Sequence, residues 1–408
     1  MAEAVIVGTA RSPIGRARKG SLKDVRPDDL TATIVRAVLD KVPQLDPHDI
    51  DDLMLGCGLP GGEQGFNMAR VVATLLGYDH LPGTTITRYC SSSLQTTRMA
   101  YHAIKAGEGD VFVSAGVEMV SRYEKGSSDG WPDTHNPAFA GAEARTAERA
   151  AAGSDGWRDP REDEALPDIY IAMGHTAENV AQLRGITRET QDEFGVRSQN
   201  LAEKAIASGF FAREITPVTV PDGNVASTDD GPRPGTTLEK VAELKPVFRP
   251  DGTVTAGNCC PLNDGAAAVV VMSDRKASEL GIQPLARIAA TGVTALSPEI
   301  MGLGPVGASR QALARAGMTI EDIDLVEINE AFAAQVIPSA RDLDIDPFGE
   351  KLNINGGAIA VGHPFGMTGA RISTTLLNSL AFHDKTLGLE TMCVGGGQGM
   401  AMVLERLA

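Results

Sequence analysis

The run Thr84-Thr85-Ile86-Thr87-Arg88-Tyr89-Cys90-Ser91-Ser92-Ser93 sets a β-branched segment against a small-residue helix start, with a thiol at the junction. β-Branched residues favour strands. From Ser91 to Ala106 the apolar positions take a helical pattern that stops at Gly107. The same alternation extends outward: 4–8 reads as a buried strand, 28–39 as an amphipathic helix, and 53–57 and 111–115 as short apolar strands. Strand–helix alternation of this kind predicts an α/β layered domain.

The last third repeats the theme. Residues 286–291 read as a strand, 307–316 as a helix, 368–380 as a helix and 391–394 as a final strand. Asp322-Ile323-Asp324-Leu325 echoes Asp49-Ile50-Asp51-Asp52-Leu53 at an offset of 273 residues (322 less 49). Ile354 precedes a glycine turn and a helix as Ile86 precedes the Cys90 turn, at an offset of 268 (354 less 86). Similar offsets at separate landmarks predict an internal duplication of very long period. Between the halves, 121–167 is polar and broken by Gly126, Gly130, Pro132, Pro137 and Gly153, so it reads as an elaborated loop. Helical patterns at 173–184 and 191–208 follow, then a loop-like 221–234. An insertion of this kind commonly lies over a binding site.

Bulk composition excludes several functions. A net charge of −16 opposes nucleic acid and anionic membrane surfaces, which need basic faces. The apolar run 266–272 is far too short to span a bilayer. Met1-Ala2-Glu3 leads straight into Val5-Ile6-Val7 with no basic or Ser-rich leader, so the expected location is cytoplasmic. Five cysteines, Cys57, Cys90, Cys259, Cys260 and Cys393, without CxxC spacing fit neither a disulfide framework nor a metal site.

Cys90 at a helix N-terminus faces unpaired N–H groups and the positive end of the helix dipole, which favour thiolate; a buried structural cysteine is the competing reading. His363 sits between Gly362 and Pro364 in a glycine-rich turn ahead of a helix, where a neutral imidazole is suited to accept a thiol proton. Cys393 precedes Gly395-Gly396-Gly397-Gln398-Gly399, whose backbone can approach a substrate oxygen. A phosphate loop there is disfavoured, because neither Lys-Ser/Thr nor GxGxxG spacing is present. Asn329-Glu330-Ala331-Phe332 closes a strand-like 325–328, the place where α/β enzymes put active-site groups.

Together these blocks resemble the four signature segments of the thiolase family, in the family's order and spacing, with 173–179 and 252–258 also similar to thiolase segments. The resemblance spans essentially the whole chain. It implies a five-layered αβαβα fold of two duplicated mixed-sheet α/β halves with an inserted loop domain. The expected division is 1–120 as the N-terminal half, completed by 251–280; 121–250 as a loop domain covering the CoA site; and 281–408 as the C-terminal half. It implies that His363 deprotonates Cys90, that Cys90 carries the acyl group, and that Cys393 moves the proton at the α-carbon of acetyl-CoA. One oxyanion falls to His363 with a water held by Asn329, the other to the N–H groups of Cys90 and Gly395. For CoA it implies Arg233 near the adenine nucleotide and Met173, Val247, Phe248, Ala256, Ala331 and Phe332 along the pantetheine channel. CoA is then a co-substrate, with no permanently bound cofactor and no metal, and the assembly is a homodimer or homotetramer.

The chain departs from the commonest family pattern at three places. Cys260 stands where a serine helps hold the CoA tail, Phe365 is bulkier than usual, and 121–167 does not match the tetramer-building loop of short-chain thiolases. These differences favour a degradative 3-ketoacyl-CoA thiolase (fatty-acid or sterol side-chain β-oxidation) over a biosynthetic acetoacetyl-CoA thiolase. A decarboxylating ketoacyl synthase would replace Cys393 by His or Asn. A non-catalytic thiolase-like lipid-binding protein would lack one of Cys90, His363 and Cys393.

Overall fold

The computed structural model describes residues 2–128, 131–153 and 156–408. Met1 and Gly130, used above, lie outside the described residues, as do Asp129, Ser154 and Asp155.

The main strands are β1 (Ala4–Arg11), β2 (Asp52–Cys57), β3 (Gly83–Ile86), β4 (Val111–Met119), β5 (Asn263–Ser273), β6 (Ala286–Ala295), β7 (Leu325–Ile328), β8 (Leu387–Val394) and β9 (Gln398–Arg406). They form one mixed sheet in the order β3-β2-β4-β5-β1-β6-β9-β8-β7, and the two-residue strand Gly15–Arg16 also pairs with β5. β5 carries the longest apolar run, 266–272, and is buried along its whole length. Burial on both faces explains why it reads as a continuous apolar run rather than an alternation.

The sheet is a duplication. In the first half β3, β2 and β4 run parallel while β4, β5 and β1 run antiparallel. In the second half β7 and β8 run parallel while β8, β9 and β6 run antiparallel. Leu352 bridges Val326 in parallel, standing beside β7 as β3 stands beside β2. The halves join where β1 meets β6 at Val5–Arg287 and Ile6–Ala286. The echoed aspartates perform one task in both copies. Asp51 accepts from the backbone N–H groups of Asp110 and Val111 at 2.7 and 2.9 Å, at the start of β4. Asp324 accepts from Thr386 and Leu387 at 3.0 and 2.9 Å, at the start of β8.

Helices α1 (Pro27–Asp40), α2 (Met68–Leu75), α3 (Ser92–Ala106), α4 (Ala140–Ala152), α5 (Met173–Arg184), α6 (Arg188–Ala207), α7 (Gly304–Ala316), α8 (Ala333–Asp342) and α9 (Thr368–Phe382) complete the layers. Period-2 alternation along the strands separates three cores. Val111, Val113, Ala268 and Val270 pack with Leu30, Val38 and Val72 of α1 and α2. Phe112, Val269, Val271, Met400 and Met402 pack with Leu94, Ile104, Ile372 and Leu376 of α3 and α9. Ala401 and Val403 pack with Val306, Leu313 and Val336 of α7 and α8. The result is αβαβα, with α3 and α9 in the middle layer. Each fully buried large aliphatic contributes about 1.5–3 kcal/mol. The two central helices touch closely: a Cβ on Gly369 would run into the backbone nitrogen of Leu94.

The expectation of loop throughout 121–167 is corrected by α4, thirteen residues of AGAEARTAERAAA. Alanine, glutamate and arginine carry strong helix propensity, and this outweighs the Gly and Pro around it. Within 221–234, Val225–Ala226 pairs with Val218–Thr219 as a two-residue ladder. Among the described residues no helix is long and apolar enough to cross a membrane.

Candidate active site

Cys90 lies in a 3-10 turn, Tyr89–Ser91, that leads directly into α3. Tyr89 has φ 44°, a left-handed conformation that costs a bulky residue about 1–3 kcal/mol. Ser92 holds it there: its hydroxyl donates to the Tyr89 carbonyl at 2.7 Å and accepts from the Arg88 N–H at 2.9 Å. The expected stabilisation of thiolate by the helix end does not dominate. Burial pushes the Cys90 thiol up to about 12, against hydrogen bonding from the backbone of Gly395 and of Cys90 itself. The resting group is a neutral thiol.

Gly395 reaches Cys90 because its loop is tied to the Cys90 turn. Arg88 donates through Nη1 to Gln398 Oε1 at 2.6 Å, and Gln398 Nε2 donates to the Gly395 carbonyl at 3.2 Å. Gly396 and Gly397 have φ 75° and 76°, consecutive left-handed positions that favour glycine.

His363 is buried, and its N–H donates to Asn263 Oδ1 at 2.9 Å. Its ring Nδ1 lies 2.6 Å from Thr368 Oγ1, and Thr368 donates its own hydroxyl proton to the Pro364 carbonyl at 2.7 Å. With that proton on the carbonyl, Thr368 accepts from Nδ1–H, which places the imidazole lone pair on Nε2. The Asn329 amide Nδ2 stands 3.3 Å from that Nε2. Burial first, then the positive Arg371, pull the imidazole down to about 3, so it is neutral. Arg371 Nη2 also donates to Asn329 Oδ1 at 3.5 Å.

Cys393 sits in β8 opposite Gly399, fully buried. Burial and the neighbouring Cys90 both raise its thiol. Burial, and then the neighbouring Cys259, Cys90 and Cys393, raise the Cys260 thiol well above its ordinary value. Asn329 follows β7, its N–H donating to the Thr391 carbonyl at 3.0 Å. Glu330 has a different task. It accepts from Ser198, Asn353 and the Ile359 N–H at 2.6, 2.9 and 3.1 Å, bracing the turn that carries His363.

The residues expected along the CoA channel fall into two groups. Cys260 N–H donates to the Ala331 carbonyl at 3.0 Å and Cys259 bridges Phe332, so the 253–260 loop is laced to the start of α8. Met173, Phe248 and Cys260 are half-buried against the core cluster that contains Ala331 and Phe332. The Phe248 and Phe332 rings meet edge-on at 6.3 Å. Val247, Ala256 and Arg233 are exposed, and the Arg233 N–H donates to Gln199 Oε1 at 2.8 Å. Burial and then Arg16 lower the Arg233 guanidinium, so two cations sit near one another.

Sequence reading missed four contributors. Thr368 and Arg371 fix the His363 tautomer and the Asn329 amide; only their closeness to His363 in sequence signalled them. Arg88 acts on a residue 310 positions away. Glu118 lies in the otherwise apolar β4 and accepts from the N–H groups of Gly58 and Gly366 at 2.6 and 2.9 Å, Gln64 Nε2 at 3.1 Å and Tyr123 at 2.8 Å. A lone carboxylate in a buried strand was the available signal. Among the described residues no group of three or more His, Cys, Asp or Glu side chains is arranged to hold a metal.

A thiol under a backbone donor, a neutral imidazole and a second buried thiol, set between duplicated α/β halves, are the kinds of group that acyl transfer through a thioester needs. Comparison with known proteins agrees. The family description "Thiolase, N-terminal domain" matches residues 4–275 and "Thiolase, C-terminal domain" matches 282–406. The chain belongs to the thiolase family. It is 44% identical over 414 residues to a 3-ketoacyl-CoA thiolase of Aeromonas hydrophila, covering 100% of both chains. It is 42% identical to one of Bacillus subtilis over 418 residues, covering 99% of this chain and 100% of that one. The crystal structure of the Bacillus anthracis acetyl-CoA acetyltransferase superposes with TM-score 0.85 at 40% identity, covering 100% of this chain and 99% of that one. Human mitochondrial 3-ketoacyl-CoA thiolase gives the same TM-score, 0.85, and the same coverage, 100% and 99%, at 34% identity.

Proposed function

We propose that the chain is a degradative 3-ketoacyl-CoA thiolase, an acyltransferase that splits 3-ketoacyl-CoA with CoA into acetyl-CoA and a shortened acyl-CoA. The observation that carries the reading is the bonding of His363: Nδ1 lies 2.6 Å from Thr368 Oγ1, whose own proton goes to the Pro364 carbonyl, so the basic lone pair falls to Nε2. His363 takes the Cys90 proton as sulfur bonds to the 3-keto carbon. With the thiol high and the imidazole low, attack and proton transfer occur together rather than from a preformed thiolate. The C2–C3 bond then breaks, leaving an acyl-Cys90 thioester and the enolate of acetyl-CoA, which takes the Cys393 proton at C2. Incoming CoA loses its thiol proton to the Cys393 thiolate and attacks the thioester. Cys90 departs and recovers its proton from His363. Dividing the reaction at a thioester replaces one hard carbon–carbon step by two easier ones.

The N–H groups of Cys90 and Gly395 serve one oxyanion, and His363 with a water on Asn329 serves the other. CoA runs past Met173, Phe248, Cys260, Ala331 and Phe332, with Val247 and Ala256 at the mouth and Arg233, joined by Arg16, on the phosphates. Charge-assisted bonds from guanidinium to phosphate suit that task on an acidic protein. The division into 1–120 with 251–280, a covering segment 121–250, and 281–408 belongs to the same reading, as does a homo-oligomer. Exposed Phe66 and Leu75 near the edge strand β3 support the latter. A biosynthetic acetoacetyl-CoA thiolase is the second reading, favoured by the likeness to the acetyltransferase from Bacillus anthracis. Thiolysis assays across short, long and sterol-side-chain 3-ketoacyl-CoAs separate the two. Turnover beyond four carbons is expected, and activity confined to acetoacetyl-CoA would overturn the degradative reading.

A further inference from the structure

A cavity of about 250 Å³ lies where α4, the 156–171 segment, α5 and Arg249 meet, and none of its lining residues is among those assigned to CoA. Arg145, Arg149, Arg158 and Arg249 line it, opposed by Asp163 and Glu299. Arg158 pairs with Glu162 at 3.3 Å, which leaves three guanidinium groups around one small cavity whose hydrogen bonds reach no carboxylate among the described residues, on a chain of net charge −16. Arg145 and Arg149 stand four residues apart on α4, a spacing at which like charges repel. Their hydrogen bonds go to neutral carbonyls. Arg145 donates to Gly141 at 3.2 Å and to Leu166, and Arg149 donates to Gly156 at 2.7 Å. Arg249 is 3% exposed and bonds through its Nη atoms to Asn179 Oδ1 at 2.7 Å, Gln182 Oε1 at 3.3 Å and the His175 carbonyl at 3.4 Å, all uncharged acceptors. Its Nε is buried with no hydrogen-bond partner among the described residues. Glu299 is engaged from both sides, by Trp157 Nε1 at 2.7 Å and the Asp168 N–H at 2.9 Å. Two mutually repelling arginines whose hydrogen bonds reach only neutral carbonyls are groups that an incoming oxyanion would satisfy.

We propose that this cavity is an anion site, separate from the CoA phosphates, that takes a small oxyanion of the phosphate class. The test is isothermal titration of inorganic phosphate into the full chain saturated with CoA, in phosphate-free chloride buffer. CoA fills its own phosphate contacts, so the titration reads the second site alone. One equivalent of saturable binding is expected, weakened about tenfold or more in Arg145→Gln/Arg149→Gln and unchanged in Arg233→Gln. The double variant should keep wild-type thiolysis and melting temperature in the absence of phosphate. If it is unstable, Arg149→Gln alone serves, with the same direction of change. No saturable phosphate binding in the presence of CoA, or binding indifferent to the α4 arginines, would overturn the proposal. Mutual exclusion of phosphate and CoA would also overturn it, by making the cavity part of the CoA site. None of these outcomes bears on the thiolase reading, which rests on other residues.

Discussion

Thr368 Oγ1 stands 2.6 Å from His363 Nδ1 while its own proton is bound to the Pro364 carbonyl at 2.7 Å. One hydroxyl thereby anchors the imidazole at Nδ1 and leaves the lone pair on Nε2. Thr368→Val keeps the shape and removes the acceptor, so Nδ1–H is left buried and unpaired. A loss of about 100-fold in kcat is expected, at the lower end of what a positioned general base supplies, with Thr368→Ser close to wild type. Steady-state thiolysis of the pair checks this.

Gly395 offers its backbone N–H to Cys90. A Cβ there would meet the Tyr89 ring at 3.2 Å, tighter than ordinary packing, so the ring or the Gly395 backbone must shift. Gly395→Ala should therefore move the donor and cost about 100- to 1,000-fold in kcat. KM should change little, because the interaction matters in the transition state. Initial-rate measurements over a range of substrate concentrations separate the two constants.

Burial holds the resting Cys90 thiol up at about 12 and the His363 imidazole down at about 3. Both are uncharged at neutral pH. Alkylation of Cys90 by iodoacetamide in the absence of substrate should then be slow at pH 7 and still rising with pH above 9. A plateau near neutrality would mark a preformed thiolate. In thiolysis no acid limb is expected near 6.5, the ordinary imidazole value.

Beneath the site lie two buried carboxyls, Glu327 and Glu390, each pushed up to about 8 by burial. A folded-state value above the unfolded 4.5 means the folded chain binds more protons between the two values. Their contribution to stability is full below about 4.5 and is lost as pH rises through 8. Glu390 accepts from Ser373 through Oε1 at 2.7 Å while Oε2 is buried without a partner, as suits a protonated acid. Glu390→Gln mimics that acid at every pH. Melting temperatures compared at pH 6 and pH 9 should fall less in this variant than in wild type.

How much of this was legible in the sequence depended on whether the information was local. Cys90 and His363 stood out because a thiol at a strand–helix junction and an imidazole between glycine and proline are unusual within a few residues. Asp51 and Asp324 echoed one another because a duplicated fold reuses the same carboxylate cap on the same backbone N–H groups. Which effect wins at Cys90, burial or the helix end, was not legible, since desolvation is a property of the packed fold. Nor were the Arg88–Gln398 clasp and the Glu118 hub, whose partners lie as much as 310 and 248 residues away. α4 was hidden by the glycines and prolines flanking an alanine-rich run that is itself strongly helical.

The two-cysteine division of labour is tested most directly by intact-protein mass spectrometry after mixing with 3-ketooctanoyl-CoA without free CoA, followed by peptide mapping. One hexanoyl group, on Cys90, is expected in the wild type and none in Cys90→Ala. A hexanoyl group on Cys393 or Cys260, or acylation that survives in Cys90→Ala, would contradict that division of labour.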